Sequence, residues 1–414
     1  MNSRERVLTS INHKEPDRVP IDLAGFPVTG ISAIAYHNLK EYLGIKAGHV
    51  RVYDLMQQLA LPEEMVLDLF KVDVLDLGRT FNTENEDWYD IKVNGYDFQY
   101  PHWFKQKRNP DDSYDIYHRD GTIIARMTKD ALVFDQMYYP CLNNYPQTYI
   151  DFQKMASKNP WVSQITPPFS NIGQKKFWKT LRNNAITLKE KSNKVITLNL
   201  GSTSFELASS FRRLDKFLID LVRNTSQVEK FLDYLLEFFL TSFKLICGYV
   251  GDVVDIIKIG DDLGENKGPF ISPKIFREIF KPRIAEICDF IKKNSSMKIF
   301  YHSCGSIVPL LSDLIDTGID ILNPVQINAR DMDPKFLKEN FGDDITFWGG
   351  GADTRNVINR KSPEEVKKHV LELLEIFFPG GGYIWNTVHN ILPDVPPQNI
   401  IAMFEAIEEF NHKL

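Results

Sequence analysis

The amino-acid sequence predicts an α/β fold, a (β/α)8 TIM barrel with an N-terminal helical extension and a β-rich insertion after the second strand. Eight short apolar runs have the length and composition of buried strands, and each is followed by sequence with helical spacing. The runs begin near residues 19, 72, 194, 253, 298, 319, 345 and 383. Eight βα repeats indicate this barrel, whereas a doubly wound sheet would have fewer strands and a glycine-rich GxGxxG turn after the first.

The N-terminal part of the chain supplies the extension and the first two strands. Residues 2–14 have helical apolar spacing and lead into the first predicted strand, 19–23. Helical stretches over 36–43 and 55–70 then precede the β-branched run at 72–78, which predicts the second strand.

The hydrophobic pattern changes between residues 81 and 140, where short runs of alternating apolar and polar residues are separated by turn dipeptides. Asn94-Gly95 and Asp120-Gly121 are the pairs that type I′ hairpin turns require. We therefore expect one TIM-barrel domain spanning 1–414, with 81–140 as a β-rich insertion within it.

The second half of the chain alternates strand with helix in a regular rhythm. The predicted strands cover 194–200, 253–259, 298–302, 319–324, 345–348 and 383–386, and the helices cover 214–221, 228–249, 273–293, a short stretch from 307, 333–340 and 363–378. This rhythm completes the barrel.

Composition narrows the classes of function. The chain has 49 Lys and Arg against 55 Asp and Glu, a formal charge of −6, which gives no reason to expect nucleic acid as a ligand. No apolar stretch approaches the length of a membrane helix, and the first residues lack the apolar core of a secretory signal. The four cysteines have no spacing typical of a disulfide framework. We expect a cytoplasmic protein without membrane contact.

In a TIM barrel the active site lies at the carboxyl ends of the strands, so the strand prediction gives a set of candidate residues. These residues are Asp22, Arg79, Asn199, Ser202, Glu206, Asp261, Asp262, His302, Cys304, Asn323, Gln326, Trp348, Asn386 and His389.

The motif YHSCGS is the sharpest candidate, because His302 and Cys304 at i and i+2 of a strand end point to the same side. Imidazole nitrogen and thiolate sulfur are both zinc donors, and a catalytic zinc needs three protein ligands and one open position. His389, in the loop after the last strand, could be the third ligand. An acid, Asp261, Asp262 or Glu206, could complete the shell. The alternative is that Cys304 and His302 are buried core residues.

The adjacent acids Asp261 and Asp262 form a second cluster of polar residues at a strand end. One of them could act as a base, a metal ligand or a binder of a cationic group, since neighbouring side chains on a strand end do not both point inward. The alternative is a capping loop with solvated acids.

Several amides and a tryptophan are candidate substrate contacts. Asn199, Gln326 and Asn386 could orient a polar substrate, or they could support the site from behind. Trp348 could line the pocket or fill a layer of the barrel.

Four segments carry a resemblance to a known family. They are EPDRVPIDL near the start, GDDLGENKGPFISP at 260–273, YHSCGSIVPLLSDLIDTGIDILNPVQ at 301–326 and GGYIWNTVHNILPDVPPQNIIAM at 381–403. The chain resembles the uroporphyrinogen decarboxylase superfamily, which includes that decarboxylase and zinc-dependent methyltransferases that serve coenzyme M and corrinoid proteins. The resemblance independently implies a TIM barrel.

The motifs favour the methyltransferase branch. The decarboxylase has an arginine-rich segment after its first strand and an aspartate after its second, and here those places read LAGFPVTG and LDLGRT, with Arg79 near the expected acid. The methyltransferases are similar in having His-x-Cys after the fifth strand and a further cysteine after the eighth. His302 and Cys304 match the first motif, while His389 stands where the cysteine is expected. Replacing a thiolate by an imidazole makes the metal a stronger Lewis acid, which suits an oxygen-bearing substrate better than a thiol.

The resemblance implies a zinc-dependent methyltransferase that moves a methyl group between a small O-, N- or S-methyl compound and a corrinoid protein. The chain lacks the Asp-x-His-x-x-Gly signature of cobalamin attachment, so we expect the corrinoid on a separate partner. In this reading, His302, Cys304 and His389 hold zinc, while Asp261, Asp262 or Glu206 manages the proton.

Two alternatives remain open. One is a decarboxylase of a small or porphyrinogen-like acid, with Arg79 as the carboxylate clamp and no metal. The other is a non-catalytic binder of a methylated metabolite or corrinoid. The sequence is compatible with a homodimer but contains no apolar stripe that establishes one.

Overall fold

The computed structural model describes residues 1–164 and 173–414 and contains a curled sheet of seven parallel strands. In spatial order the strands are Tyr383–Ile384, Thr346–Trp348, Ile321–Asn323, Lys298–His302, Ile256–Gly260, Val195–Asn199 and Val74–Asp76. Each pairs with its neighbours in parallel register. Almost all of their side chains are buried, as expected for strands covered on both faces. The barrel-type α/β fold predicted from the sequence is confirmed.

The first predicted strand, 19–23, closes the ring through a single bridge. Ile21 forms a parallel bridge with Trp385, whose N–H donates to the carbonyl of Pro20 at 2.8 Å. On the other side, the N–H of Asp73 donates to the carbonyl of Ile21 at 2.8 Å. Pro20 has no N–H to donate to a ladder, which helps to keep this segment short. The segment thus fills the gap between the last strand and Val74–Asp76.

Helices connect the strands. The α-helices are Ser3–Ile11, Ala33–Tyr42, Glu64–Leu69, Tyr149–Ala156, Pro160–Ser163, Lys175–Lys191, Phe205–Arg212, Leu214–Arg223, Thr225–Val250, Pro273–Ile275, Lys281–Asn294, Val308–Asp316, Pro334–Phe341, Pro363–Phe377 and Pro397–Asn411. Two short 3₁₀ turns lie at Leu77–Thr80 and Asn85–Asp87. In the part of the chain that the structure describes, no helix is long and apolar enough to cross a membrane.

Two helix predictions differ from the structure. The stretch 55–70 is helical only at Glu64–Leu69, and before it Val52–Asp54 pairs antiparallel with Leu59–Ala60. Apolar residues of this stretch are buried in the short strands and their turn, so their spacing imitates that of a helix. The predicted helix 273–293 contains a π-helical turn, Phe276–Phe280, just before Pro282, which has no N–H to continue the α-helical pattern.

The region 81–140 folds into two small antiparallel sheets. The first is the hairpin Trp88–Val93 and Tyr96–Pro101, whose turn residues Asn94 and Gly95 both have positive φ, at 51° and 86°. The second contains Lys107–Arg108, Tyr114–Tyr117, Ile123–Met127 and Asp135–Gln136. The turn with Asp120-Gly121 is longer than a type I′ turn, since His118 and Thr122 close it and only Gly121 has positive φ.

The carboxyl ends of the strands approach one another closely. A Cβ on Gly260, which has φ 145°, would lie 2.3 Å from the carbonyl oxygen of His302. Only glycine allows this contact. The approach brings the loop that follows Gly260 against the residues that follow His302.

All four cysteines are free thiols. Cys141, Cys247 and Cys288 are buried, and Cys304 is partly exposed at the carboxyl end of Lys298–His302.

Candidate metal centre

A cavity of about 720 Å³ opens at the carboxyl ends of the barrel strands. On one wall it is lined by the strand-end residues Asn199, Lys258, Asp262 and His302, with His389 beside them. Further polar side chains of the lining come from the N-terminal part, namely Tyr53, Asp54, Gln57 and Asp76, the last at the end of the strand Val74–Asp76. Strand ends and the following loops build this cavity, as the fold requires.

Three side chains that can bind a metal meet beside the cavity, and two of them, His302 and His389, line it. Ligand atoms of His302, Cys304 and His389 all lie within 4.8 Å of one another. The Sγ of Cys304 is 3.4 Å from Nε2 of His302, and the two imidazole centroids are 5.5 Å apart. Donors around a tetrahedral zinc are separated by about 3.5 Å, given bond lengths of about 2.0 to 2.3 Å. The group therefore fits a zinc ion after a small movement of His389.

Asn323 fixes which nitrogen of His302 faces the cavity. The Nδ2 of Asn323 donates to the carbonyl of Trp348 at 2.8 Å, so its Oδ1 is the atom that lies 2.5 Å from Nδ1 of His302. An amide oxygen only accepts, and Nδ1 must therefore carry the proton. The lone pair is then on Nε2, which faces Cys304, as a metal ligand requires.

Asp262 and Cys304 also point toward Nε2 of His302. Asp262 Oδ1 lies 3.4 Å from Nε2 and accepts a hydrogen bond from the backbone N–H of Cys304 at 2.9 Å. Burial raises the pKa of Asp262, but when His302 takes up a second proton, on Nε2, its hydrogen bond and positive charge outweigh burial, and the pKa of Asp262 is then well below its ordinary value. Burial and the neighbouring carboxylates raise the pKa of the Cys304 thiol well above its ordinary value. A cation among these atoms would favour the thiolate.

His389 occupies a strained backbone position. Its φ of 104° is unusual for a residue with a side chain, and such strain is concentrated at functional sites. Burial, together with the nearby charge of His302, lowers the pKa of His389 to about 4. The imidazole is therefore neutral at physiological pH, which is the state that binds metal.

Glu206 lies beside Asp262 on the first turn of Phe205–Arg212. Its Oε2 accepts a hydrogen bond from Ser202 and is 3.4 Å from the N–H of Asp262. Burial and the charge of Asp262 raise the pKa of Glu206 to about 7. It can therefore hold or release a proton near neutral pH.

Asp261 is turned away from the cavity. Its carboxylate is fully buried and accepts hydrogen bonds from the N–H groups of Ser204 and Glu206, at 2.8 and 2.9 Å, and from the Ser204 hydroxyl at 2.6 Å. Burial raises its pKa to about 6. Of the two adjacent acids, Asp262 alone lines the cavity, so only one of the pair points inward.

Among the predicted substrate contacts, Asn199 lines the cavity, whereas Arg79 and Gln326 do not. Arg79 donates to the carbonyl of Pro62 at 3.2 Å. Gln326 accepts a hydrogen bond from the N–H of Gly305 at 2.8 Å and so supports the turn after Cys304. Both predictions named a residue that follows a strand end, but the structure does not place either side chain in the lining of this cavity.

Trp348 and Asn386 are buried in the barrel and do not line the cavity. The Nε1 of Trp348 donates to Asp22 Oδ2 at 2.8 Å, and Nδ2 of Asn386 donates to the carbonyl of Asp22 at 3.1 Å. Their contacts are those of a packed barrel layer, one of the two roles considered for Trp348.

Sequence reasoning missed several polar residues of the cavity, among them Tyr53, Asp54, Asp76 and Lys258. Tyr53 and Asp54 lie in the stretch expected to be helical, and Asp76 ends the Val74–Asp76 strand, where it accepts a hydrogen bond from Tyr53. Lys258 lies in the strand Ile256–Gly260, and burial lowers its pKa. The sequence did carry a signal for Asp76 and Lys258. Each is a charged residue within an apolar run, and charged residues are rarely buried without a partner.

A family model and the matching sequences of known proteins point to the same protein family. A family model described as uroporphyrinogen decarboxylase (URO-D) matches residues 161–410. Uroporphyrinogen decarboxylase of Chlorobium luteolum is 26% identical over 176 residues, which are 41% of this chain and 46% of that protein. The enzyme of Pseudoalteromonas translucida is 38% identical over 152 residues, 35% of this chain and 40% of that protein. The matched stretches thus span less than half the length of these relatives.

A solved structure matches the whole chain. A methyltransferase from Methanosarcina mazei superposes with a TM-score of 0.59, and the match covers 99% of both chains at 17% identity. At this identity the likeness establishes a common fold.

Proposed function

The chain belongs to the uroporphyrinogen decarboxylase family, and on that premise we propose that it is a metal-dependent methyltransferase that moves a methyl group between a small methylated compound and a corrinoid protein. The observation that carries the proposal is the group formed by His302, Cys304 and His389 beside the cavity. Two imidazoles and a thiol converging beside an open cavity are the ligand set of a catalytic zinc with one free position.

The chain's own residues prepare this site for zinc. Asn323 holds His302 in the tautomer that binds metal, and burial keeps His389 neutral. When bound, zinc supplies a Lewis acid that polarises the heteroatom bearing the methyl group. Glu206, with a pKa of about 7, can hold the proton that the demethylated group takes up or releases.

The charges of the cavity argue against a porphyrinogen as the substrate. Five acids line it, Asp54, Asp76, Glu206, Asp215 and Asp262, and of the described lining only Lys258 and Arg213 are lysine or arginine. Arg213 is already paired with Asp215 at 2.6 Å. A compound with many carboxylates would meet like charge without enough counter-charges. Methyl transfer to a corrinoid on a separate protein needs no such set of cations.

Metal content tests the proposal first. We expect protein purified without a histidine tag to contain near-stoichiometric zinc by mass spectrometry, and Cys304→Ser to lose it, with affinity lower by about tenfold or more. Cys247→Ser is the matched control, because Cys247 is a buried free cysteine on the helix Thr225–Val250 and should leave the metal in place. Wild-type protein without metal after expression with added zinc would contradict the proposal.

Activity is the second measurement. Zinc-loaded protein is mixed with reduced cobalamin and with O-, N- and S-methyl donors, and methylcobalamin formation is followed by absorbance. We expect formation with at least one donor class and loss in Cys304→Ser. Zinc-loaded protein that transfers no methyl group from any class would overturn the assignment.

A further inference from the structure

Lys258 is a buried cation that faces the cavity. It lies in the middle of Ile256–Gly260, is only 4% exposed, and lines the cavity together with Asp262 and His302. Its neighbours in the strand, Ile257 and Ile259, are fully buried in the barrel.

The ammonium of Lys258 has no direct partner within residues 1–164 and 173–414. The charges that act on it come from Glu206, Asp262 and Asp261, but none of them forms an ion pair or hydrogen bond with it. Each of these acids has other donors: Ser202 for Glu206, the backbone of Cys304 for Asp262, and Ser204 for Asp261.

This situation is unusual for a lysine. Buried charges are normally paired or hydrogen-bonded, because removing an ammonium from water is costly. Lys40 in the same chain is 5% exposed and follows the rule, since it pairs with Glu63 and donates to the carbonyl of Ala47 at 2.7 Å. The ammonium of Lys258 differs in facing open space rather than a protein acceptor.

We propose that Lys258 binds an anionic oxygen of the substrate, so that the cavity takes a small methylated compound carrying a single carboxylate-type group. The inference deepens the proposed function and depends on the cavity being the substrate site. Lysine binds such groups as a point charge with three donors.

The other charges of the cavity limit the substrate to one such group. Asp54, which accepts a hydrogen bond from Gln57, and Asp76, which accepts one from Tyr53, line the same cavity. A second anionic group on the substrate would meet these acids. The neutral body of such a substrate would contact Tyr53 and Met56, which also line the cavity.

Thermal stability separates a ligand-binding lysine from a structural one. Methionine keeps the apolar stem and removes the charge, so we expect ligand-free Lys258→Met to unfold at a temperature no lower than wild type. Lys40→Met is the matched control, and we expect its Tm to fall by about 3 °C or more because it leaves Glu63 without its cation. A fall in Lys258→Met as large as that in Lys40→Met would overturn the inference.

Binding of a matched pair of probes gives the second readout. Benzoate and its neutral amide, benzamide, have the same ring and differ in the anionic oxygen. We expect wild-type protein to bind benzoate about tenfold or more tightly than benzamide by calorimetry, with the preference lost in Lys258→Met and partly kept in Lys258→Arg. Equal binding of the two probes to wild type, or a preference unchanged in Lys258→Met, would refute it.

Failure of this inference is distinguishable from failure of the proposed function. Zinc binding and methyl transfer without a benzoate preference would remove the role of Lys258 and leave the methyltransferase assignment intact. Conversely, a Lys258-dependent preference for benzoate in a protein that binds no zinc would support the role of Lys258 and contradict the methyltransferase assignment.

Discussion

Asn323 decides the chemistry of His302 although it is not itself a metal donor. Its amide is oriented by the carbonyl of Trp348, and this orientation directs Oδ1 to Nδ1 of the imidazole. The barrel layer that contains Trp348 is thereby coupled to the donor atom that faces the cavity. A residue that accepts a hydrogen bond from the other nitrogen of a metal-binding histidine fixes the orientation of the ring and raises the basicity of the donor nitrogen.

We expect Asn323→Ala to weaken zinc binding by about 10- to 100-fold, because His302 loses the acceptor that holds its tautomer. Competition with a fluorescent zinc chelator measures the affinity. Asn399→Ala is the control: Asn399 is also buried and also donates to backbone carbonyls, but it lies on the helix Pro397–Asn411. Unchanged affinity in Asn323→Ala would contradict the role given to the amide.

The helix Phe205–Arg212 is capped from a neighbouring strand end. Asp261, the residue after Ile256–Gly260, accepts hydrogen bonds from the N–H groups of Ser204 and Glu206 at the start of this helix. A carboxylate at this end also meets the positive pole of the helix dipole. This contact holds Glu206 beside Asp262. The positions of these two cavity-lining acids therefore depend on Asp261, which faces away from the cavity.

Asp261→Ala should therefore cost roughly 3 kcal/mol of unfolding free energy, because it leaves buried backbone donors without an acceptor. Urea denaturation provides the measurement. Asp333→Ala serves as the comparison, since Asp333 caps Pro334–Phe341 through a single hydrogen bond at an exposed position and should cost about 1 kcal/mol. Equal losses in the two variants would show that Asp261 is an ordinary cap.

Elements with strong periodicity were predictable, and those built by tertiary contacts were not. The run at 298–302 has an apolar and aromatic centre and is bounded by turn signals, and it forms the strand Lys298–His302. The stretch 55–60 has the same apolar content, yet it folds into Val52–Asp54 and Leu59–Ala60, with Gln58 at φ 55° between them. The pairing of these two short strands overrides the local preference for a helix there.

The same difference applies to the candidate site. His302 and Cys304 were predictable because the two-residue period of a strand places both on one side, and the structure brings them together with His389. Arg79 lies in a 3₁₀ turn, Leu77–Thr80, and donates to the carbonyl of Pro62 instead of lining the cavity. Lys258 was missed because periodicity cannot tell a barrel-core position from one facing a cavity.

Buried carboxyl groups shape the pH dependence of the whole molecule. Burial raises the pKa of Asp22 to about 7 and the pKa values of Asp76 and Asp261 to about 6. Between the ordinary aspartate pKa and these values the folded chain binds more protons than the unfolded chain. Stability therefore falls as the pH rises through this window. Opposite effects come from Asp17, whose pKa Arg6 lowers to about 2 against the effect of burial and which acts only in stronger acid, and from His389, whose pKa burial lowers to about 4 and which acts between that value and the ordinary histidine pKa of 6.5.

We expect the zinc-free protein to have a larger free energy of unfolding at about pH 5.5 than at about pH 8. Asp76→Asn should reduce this difference by about 1 kcal/mol, because most of the roughly 3 kcal/mol that a shift of about two pKa units represents is already lost by pH 5.5, and because asparagine carries no proton to lose while its amide can still meet Tyr53 and the N–H of Gly78. Urea titrations at both pH values, with a chelator present, measure it. A wild-type protein that is more stable at the higher pH would show that these acids are ionised in the folded state without cost, and the cavity would then carry more negative charge than its contacts indicate.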